Sequence, residues 1–200
     1  MTITYELGNS LYVNLTNRCS NACTFCVRTK HDNVNGQDDL WLDREPTIDE
    51  IKADFEKCDM SKYDAVVFCG YGEPTERFGV MIEISKWLKS KYDIQIRVNT
   101  NGQANLINEK DVTPELEGAI DIVSISLNAP NAKAYQEICL SRYGEAAFEA
   151  LQDFAIKAKP YVSDVIFSVV DKTMPPEDIE LCRKIAEECG VSFRVREYIE

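Results

Sequence analysis

The sequence lacks the segments that would place a protein in or across a membrane. None of its 200 residues lie in a run that approaches the roughly 18 consecutive apolar residues of a membrane-spanning helix. The opening stretch, MTITYELGNS, has neither the basic segment nor the apolar core of a signal peptide. We therefore expect a cytoplasmic protein with no membrane partner.

Positive charge and histidine are also scarce. The chain has 22 Lys and Arg against 34 Asp and Glu, a formal net charge of −12, which repels phosphate backbones and argues against nucleic acid as a partner. His31 is the single histidine, whereas there are eight cysteines. Without an export signal these thiols should stay reduced, as metal ligands or core residues. No Ser/Gly-rich linker or repeat divides the chain, so we expect one domain over residues 1–200.

Short apolar runs alternate with segments of helical period. Thr47 and Glu50 form a predicted capping box ahead of the first helical stripe, and Gly190 is placed to end the last helix. This alternation predicts an α/β fold with a parallel sheet, either doubly wound or curled into part of a barrel. The six predicted strands cover residues 11–16, 64–69, 94–100, 120–127, 162–170 and 191–199. In either architecture the loops that follow the strands carry the functional site.

Three closely spaced cysteines follow the first predicted strand. Cys19, Cys23 and Cys26 have the spacing Cys-x3-Cys-x2-Cys, and soft sulfur ligands select zinc, copper(I) or an iron–sulfur cluster. A cluster of four irons would keep one iron without a protein ligand. A second interpretation is a structural zinc site completed by His31. A third is that the thiols share one helix face, although Ser20 and its neighbouring asparagines disfavour a helix interior.

This loop resembles the signature of the radical S-adenosylmethionine enzymes, Cys-x3-Cys-x-aromatic-Cys, with Phe25 at the aromatic position. The resemblance implies a partial (β/α)6 barrel with a parallel sheet. It also implies that Cys19, Cys23 and Cys26 hold one 4Fe-4S cluster whose open iron is chelated by S-adenosylmethionine. The main chain at Phe25 would lie beside the adenine.

Motifs at the ends of later strands extend the resemblance. The predicted cofactor-binding residues at these positions are Gly70, Tyr71, Gly72, Glu73, Asn99, Ser126, Asn128, Ser168 and Arg196. The first four are similar to the family's Gly-Gly-Glu-Pro turn, and Asn99 begins an Asn-Thr-Asn-Gly element. Ser126 and Asn128 would meet the ribose or the methionine carboxylate. Arg196 has the chemistry to hold a carboxylate of cofactor or substrate.

The family's chemistry then gives an expected function. A reduced cluster cleaves S-adenosylmethionine to methionine and a 5′-deoxyadenosyl radical, which abstracts hydrogen from a peptide or small metabolite. A flavodoxin or ferredoxin would supply the electron. Within the family the chain most resembles the small TatD-associated group, which has no assigned substrate. Residues 27–46 would cover the site, with Trp41 either a lid contact or a plug against the sheet. The alternative function is a zinc-binding module without catalysis, built from the three cysteines and His31.

Overall fold

The computed structural model describes residues 1–29 and 39–197, and in them seven strands form one sheet. The strands lie side by side in chain order: β1 (Thr4–Leu7), β2 (Ser10–Val13), β3 (Ala65–Phe68), β4 (Gln95–Thr100), β5 (Ile122–Ser126), β6 (Asp164–Val170) and β7 (Ser192–Arg196). The helices are α1 (Ile48–Phe55), α2 (Phe78–Lys91), α3 (Ala104–Ile107), α4 (Ala132–Cys139), α5 (Ala146–Ala158) and α6 (Pro176–Cys189).

The predicted α/β fold with a parallel sheet is confirmed. Strands β2 to β7 pair in parallel with their neighbours in the sequence. A doubly wound sheet reverses its strand order partway, and this order has no reversal among the described strands. Right-handed crossovers that all advance in one direction put the helices on one face of the sheet, as in a barrel wall.

Strand β1 was not predicted from the sequence. It pairs antiparallel with β2 through a hairpin in which Leu7 lies opposite Ser10. Gly8 turns the chain with φ of +58°, a conformation that glycine adopts without steric cost. The Gly8-Asn9 pair between two apolar segments was the signal for this hairpin.

The helices follow the local rules of the sequence. The capping box of α1 is present, because Thr47 Oγ1 accepts from the backbone of Glu50 and the Glu50 carboxylate accepts from the backbone of Thr47. Helix α6 has Pro175 as its N-cap and ends at Gly190, whose φ is +64°. Helices α3 and α4 were not predicted. Among the described residues, no helix has the length and apolarity needed to cross a membrane.

The sheet buries its two faces differently. On the outer face, alternate residues such as Val66, Phe68 and Val98 belong to the apolar core together with helix residues such as Leu151. The inner face carries many polar side chains. These are Tyr5, Tyr12, Cys69, Arg97, Asn99, Ser124, Ser126, Ser168, Arg194 and Arg196. The polar inner face therefore leads up to the carboxyl ends of the strands, where the predicted site lies.

Side chains of β2 and β7 interact electrostatically across the inner face. Five strand spacings separate β2 from β7, about 24 Å if the sheet were flat. Yet the charge of Arg194 lowers the pKa of the Tyr12 phenol against a larger opposing effect of burial. The α/β fold with a parallel sheet is therefore established, and its curvature into a partial (β/α)6 barrel stays a prediction. Among the described strands, β1 and β7 are the two edges and do not pair.

Candidate functional site

The three cysteines lie in an irregular loop between β2 and a short 3-10 turn at Val27–Thr29. Cys19, Cys23 and Cys26 are each partly buried. Since this loop contains no α-helix, the interpretation that the three thiols merely share a helix face is wrong. The loop follows the carboxyl end of β2, where a parallel sheet presents its functional residues.

Backbone hydrogen bonds fix the loop against the end of helix α4. The amide of Ala22 donates to Cys139 O at 3.0 Å, and the amide of Thr24 donates to Ile138 O at 2.9 Å. Phe25 packs against the apolar core with part of its surface exposed. Hence the main chain between Cys19 and Cys26 is held without regular secondary structure.

A buried network of side-chain hydrogen bonds holds the same loop in place. Asn21 Nδ2 donates to Tyr135 OH at 3.0 Å, and Gln103 Nε2 donates both to Asn21 Oδ1 at 2.8 Å and to Tyr135 OH at 2.9 Å. Asn101 Nδ2 donates to Ser20 Oγ at 2.8 Å. Buried polar groups of this kind specify one conformation when every member is satisfied. The sequence analysis missed this network, because its members come from three separate parts of the chain.

The turn at residues 70–73 packs directly on the loop that leads to Cys19. Glu73 N donates to Arg18 O at 2.8 Å. A Cβ on Gly72 would lie 2.1 Å from Thr16 O, and a Cβ on Gly70 would lie 2.1 Å from Asn14 Oδ1. Only glycine fits at these two positions, which explains the residue type that the sequence shows there.

The Glu73 carboxylate joins this turn to the end of β4. It is buried and accepts hydrogen bonds from Thr75 N and Oγ1, from Thr100 Oγ1 at 2.7 Å and from Asn101 N at 2.7 Å. Burial raises the pKa of this carboxyl, and the four donated hydrogen bonds oppose that rise. Because the side chain is fully occupied, Glu73 orders the site through protein contacts, and the surrounding main chain is what the turn presents outward.

Arg28 is a site residue that the sequence analysis did not select. Its Nη1 donates to Asn17 O and to Tyr71 O, both at 3.3 Å, and its Nη2 donates to Asn21 O at 3.4 Å. The guanidinium therefore links both ends of the cysteine loop to the 70–73 turn. Its position two residues after Cys26 was the available signal.

Comparison with known proteins identifies this arrangement. Residues 13–184 match the radical SAM superfamily. The chain belongs to the radical SAM superfamily. No curated protein matches it, so the TatD-associated subgroup stays a prediction.

Solved structures of radical SAM proteins share the fold. SuiB of Streptococcus suis bound to precursor peptide SuiA has a TM-score of 0.71 at 19% identity, over 98% of this chain and 41% of SuiB. A radical SAM methyltransferase from Sphaerobacter thermophilus has a TM-score of 0.67 at 16% identity, over 97% of this chain and 57% of that one. The maturase HydG from Carboxydothermus hydrogenoformans has a TM-score of 0.66 at 16% identity, over 96% of this chain and 44% of HydG. This chain thus spans about half the length of these proteins.

The cofactors of this superfamily are a 4Fe-4S cluster and S-adenosylmethionine. The donor set fits a cluster. Cys19, Cys23 and Cys26 are thiols, the ligands that iron–sulfur clusters take. Among the described residues, no three Cys, His, Asp or Glu side chains are placed to hold a single metal ion. A tetrahedral zinc ion with zinc–sulfur bonds of about 2.3 Å holds its sulfur ligands about 3.8 Å from one another. The described side chains are not grouped in this way.

The environment of the three thiols differs from one to the next. Burial raises the pKa of the Cys19 thiol to about 12 and raises that of Cys26. A hydrogen bond with Cys139 lowers the pKa of Cys23 and raises that of Cys139. The positive charge of Arg28 favours the thiolate at all three loop cysteines. Arg28 therefore supplies the electrostatic support that bound thiolates require.

Two asparagines near the cysteine loop have side-chain oxygens without a hydrogen-bond donor among the described residues. Asn128 is buried with φ of +55°; its Nδ2 lies 4.0 Å from Cys139 Sγ, and its Oδ1 has no partner among the described residues. Asn14 Oδ1, beside Gly70, also has none. An unsatisfied buried acceptor costs about 1–3 kcal/mol, so each is a position where a ligand donor would be stabilising.

The other predicted cofactor residues lie on or near the inner face. Asn99 hydrogen-bonds to Cys69 and so opposes the effect of burial on the pKa of that thiol. Ser126 Oγ accepts from Arg196 Nη2 at 3.3 Å. Ser168 is buried and its Oγ donates to Ile125 O at 3.3 Å. Since Ser168 already has a main-chain partner, it is the least available of these residues, and its cofactor role stays a prediction.

Trp41 lies at the surface beside the turn. Its ring is 5.2 Å from that of Tyr71 in an edge-on arrangement, and 42% of the residue is exposed. Trp41 therefore contacts the site edge and does not plug the sheet. His31, the fourth ligand of the zinc interpretation, and much of the 27–46 loop lie outside the described residues.

Proposed function

We propose that this protein binds one 4Fe-4S cluster through Cys19, Cys23 and Cys26 and uses it with S-adenosylmethionine to abstract hydrogen from a substrate. The observation that carries the proposal is the rigid packing of the cysteine loop on the 70–73 turn. In that packing, Gly72 has no room for a side chain and Arg28 bonds to both segments.

Different residues of the chain would contact different parts of S-adenosylmethionine. The main chain of Gly70, Tyr71 and Gly72 is suited to accept from the cofactor's amino group, because carbonyl oxygens are acceptors and the glycines allow close approach. Asn128 Oδ1 offers a buried acceptor nearby. Phe25 would present its backbone to the adenine, while Asn99, Ser126, Ser168 and Arg196 line the adjoining inner face. Glu73 would act through the order it gives the turn.

When bound, the cluster and S-adenosylmethionine together would supply a 5′-deoxyadenosyl radical for hydrogen abstraction. The chain itself would bind, orient and exclude water, the protein's usual part in cofactor enzymes. The electron would come from an external flavodoxin or ferredoxin. We propose that residues 1–200 form a single core domain and that the substrate is a peptide or a small metabolite. The peptide-bound neighbour, SuiB, supports the first option by fold alone.

The test is anaerobic reconstitution with iron and sulfide, followed by metal analysis, electron paramagnetic resonance of the reduced protein and a cleavage assay with S-adenosylmethionine. We expect about four iron and four sulfide per chain and slow release of 5′-deoxyadenosine. The variants Cys19→Ala, Cys23→Ala and Cys26→Ala should lose the cluster and should not release 5′-deoxyadenosine.

Cys58→Ala is the matched control. Cys58 is a half-buried thiol at the end of α1, where it bonds to Asp54 O, remote from the loop. This variant should keep the full cluster. One zinc per chain without sulfide, lost in His31→Ala, would overturn the proposal in favour of the zinc-binding module.

A further inference from the structure

Three arginines on the inner face have no acidic partner among the described residues. Arg97 on β4 and Arg194 and Arg196 on β7 form no ion pair with any carboxylate of residues 1–29 and 39–197. Asp164, at the amino end of neighbouring β6, accepts from Ser192 instead. In a chain with 34 acidic residues and 22 basic ones, three unpaired guanidinium groups on one face are unexpected. We call these three residues the inner arginine group.

The members of this group share electrostatic neighbours on the inner face. Arg97 and Arg194 both interact electrostatically with the phenol of Tyr12 on β2. Arg97 and Arg196 both interact with the Cys69 thiol at the end of β3. Arg194 lies two residues before Arg196 on the same face of β7, so the three positive groups share the inner face of the sheet. Like charges held together repel one another, so this placement favours an anion between them.

Two of the three side chains keep unused hydrogen-bond donors. Arg97 Nη2 donates to Tyr12 OH at 3.4 Å, and Arg196 Nη2 donates to Ser126 Oγ at 3.3 Å. The Nε of each is buried and has no partner. Nε–H and the second hydrogen of Nη2 form the fork that holds both oxygens of a carboxylate. Both residues keep part of their surface exposed, so they lie within reach of a ligand on the inner face.

We propose that the inner arginine group binds a carboxylate of the substrate. The inference rests on the proposed function and narrows its substrate class. Arg196 reaches Ser126, among the residues predicted to meet S-adenosylmethionine, which also has a carboxylate. Arg97 precedes Asn99 by two positions, about 6.8 Å along the strand and away from the cofactor turn. Arg97 therefore distinguishes a substrate carboxylate from that of the cofactor.

The experiment titrates succinate into the reconstituted protein saturated with S-adenosylmethionine, by calorimetry at fixed ionic strength. Succinate should bind the unaltered protein. Arg97→Gln and Arg194→Gln should each weaken succinate binding about tenfold or more, the loss expected for a hydrogen bond to a charged group. Affinity for S-adenosylmethionine should stay unchanged in Arg97→Gln. Succinamide, which has the same shape without charge, should not bind.

Arg183→Gln is the matched control, because Arg183 lies on α6, partly exposed and paired with Glu180. It should bind succinate normally. Circular dichroism melting of each variant shows whether it is folded. The proposal is overturned if succinate does not bind the unaltered protein, if inorganic phosphate binds more tightly, or if Arg97→Gln loses affinity for S-adenosylmethionine instead. Succinate binding to a chain that fails to assemble a cluster would retain the anion site and reject the radical function.

Discussion

Gly72→Ala tests whether the 70–73 turn and the cysteine loop are one packed unit. The added Cβ would lie 2.1 Å from Thr16 O and 2.6 Å from Arg18 O, both main-chain atoms. Ordinary contact begins at 3.4 Å, so the closest approach must open by 1.3 Å. Main-chain atoms cannot rotate away as a flexible side chain can, and the displacement must pass into the segment that leads to Cys19.

The expected magnitude follows from this overlap. Overpacking of this kind costs about 1–3 kcal/mol of unfolding free energy. At this chain length that lowers the melting temperature by about 2–12 °C. A displacement near 1 Å at a reacting site lowers activity on the order of a hundredfold. We therefore expect a lower melting temperature, reduced cluster content and a large loss of S-adenosylmethionine cleavage.

Gly79→Ala gives the matched control. Gly79 lies in helix α2, and a Cβ there would meet nothing within 4 Å. Removing a helical glycine should stabilise the protein by roughly 0.5–1 kcal/mol. Melting curves, iron content and cleavage rates of both variants are measured together. If Gly72→Ala keeps the cluster, the cleavage rate and the melting temperature of the unaltered protein, the packing argument is refuted.

Two further predictions concern the support of the site and the first helix. Tyr135→Phe removes the acceptor shared by Asn21 and Gln103, so urea unfolding should show a loss of about 1–3 kcal/mol, with weaker cluster retention; an unchanged midpoint would contradict the network's role. Hydrogen bonding from Arg44 lowers the pKa of Glu50 from its usual 4.5 to about 2. The stability this gives is complete above pH 4.5 and is lost as the pH falls toward 2, so Glu50→Gln should narrow the gap between melting temperatures measured at pH 5 and pH 3. An equal gap in both proteins would count against the contact between Arg44 and Glu50.

The sequence predicted those features that depend on local pattern. Four of the five later strands lie within two residues of the predicted runs, β7 ends at Arg196 and thus three residues before its predicted end, and the capping box at Thr47 is formed. Periodicity and caps are local signals, which explains this success. The β1–β2 hairpin also has a local signal in Gly8-Asn9, but it was overlooked because β1 is only four residues long.

The support of the site could not be predicted in the same way. The residue types at Cys19 and Gly72 indicate their roles because metal binding and close main-chain approach each restrict the choice of side chain. Tyr135 and Gln103, in contrast, are ordinary residues, and only their meeting with Asn21 gives them a role. That meeting joins parts of the chain that are 114 and 82 residues apart. A single sequence does not show that residues so far apart along the chain come into contact.

The support of the site makes its three segments mutually dependent. Glu73 holds the turn after β3 to the turn after β4, and Arg28 holds the first of these turns to the cysteine loop. Asn101, in the turn after β4, donates a hydrogen bond to Ser20 inside the cysteine loop and so links the third pair of segments. Groups that share a network show coupled energetics, because the loss of one bond frees its neighbours to relax. The cysteine loop should therefore lose order when any one of these links is cut, even though none of the linking side chains binds metal.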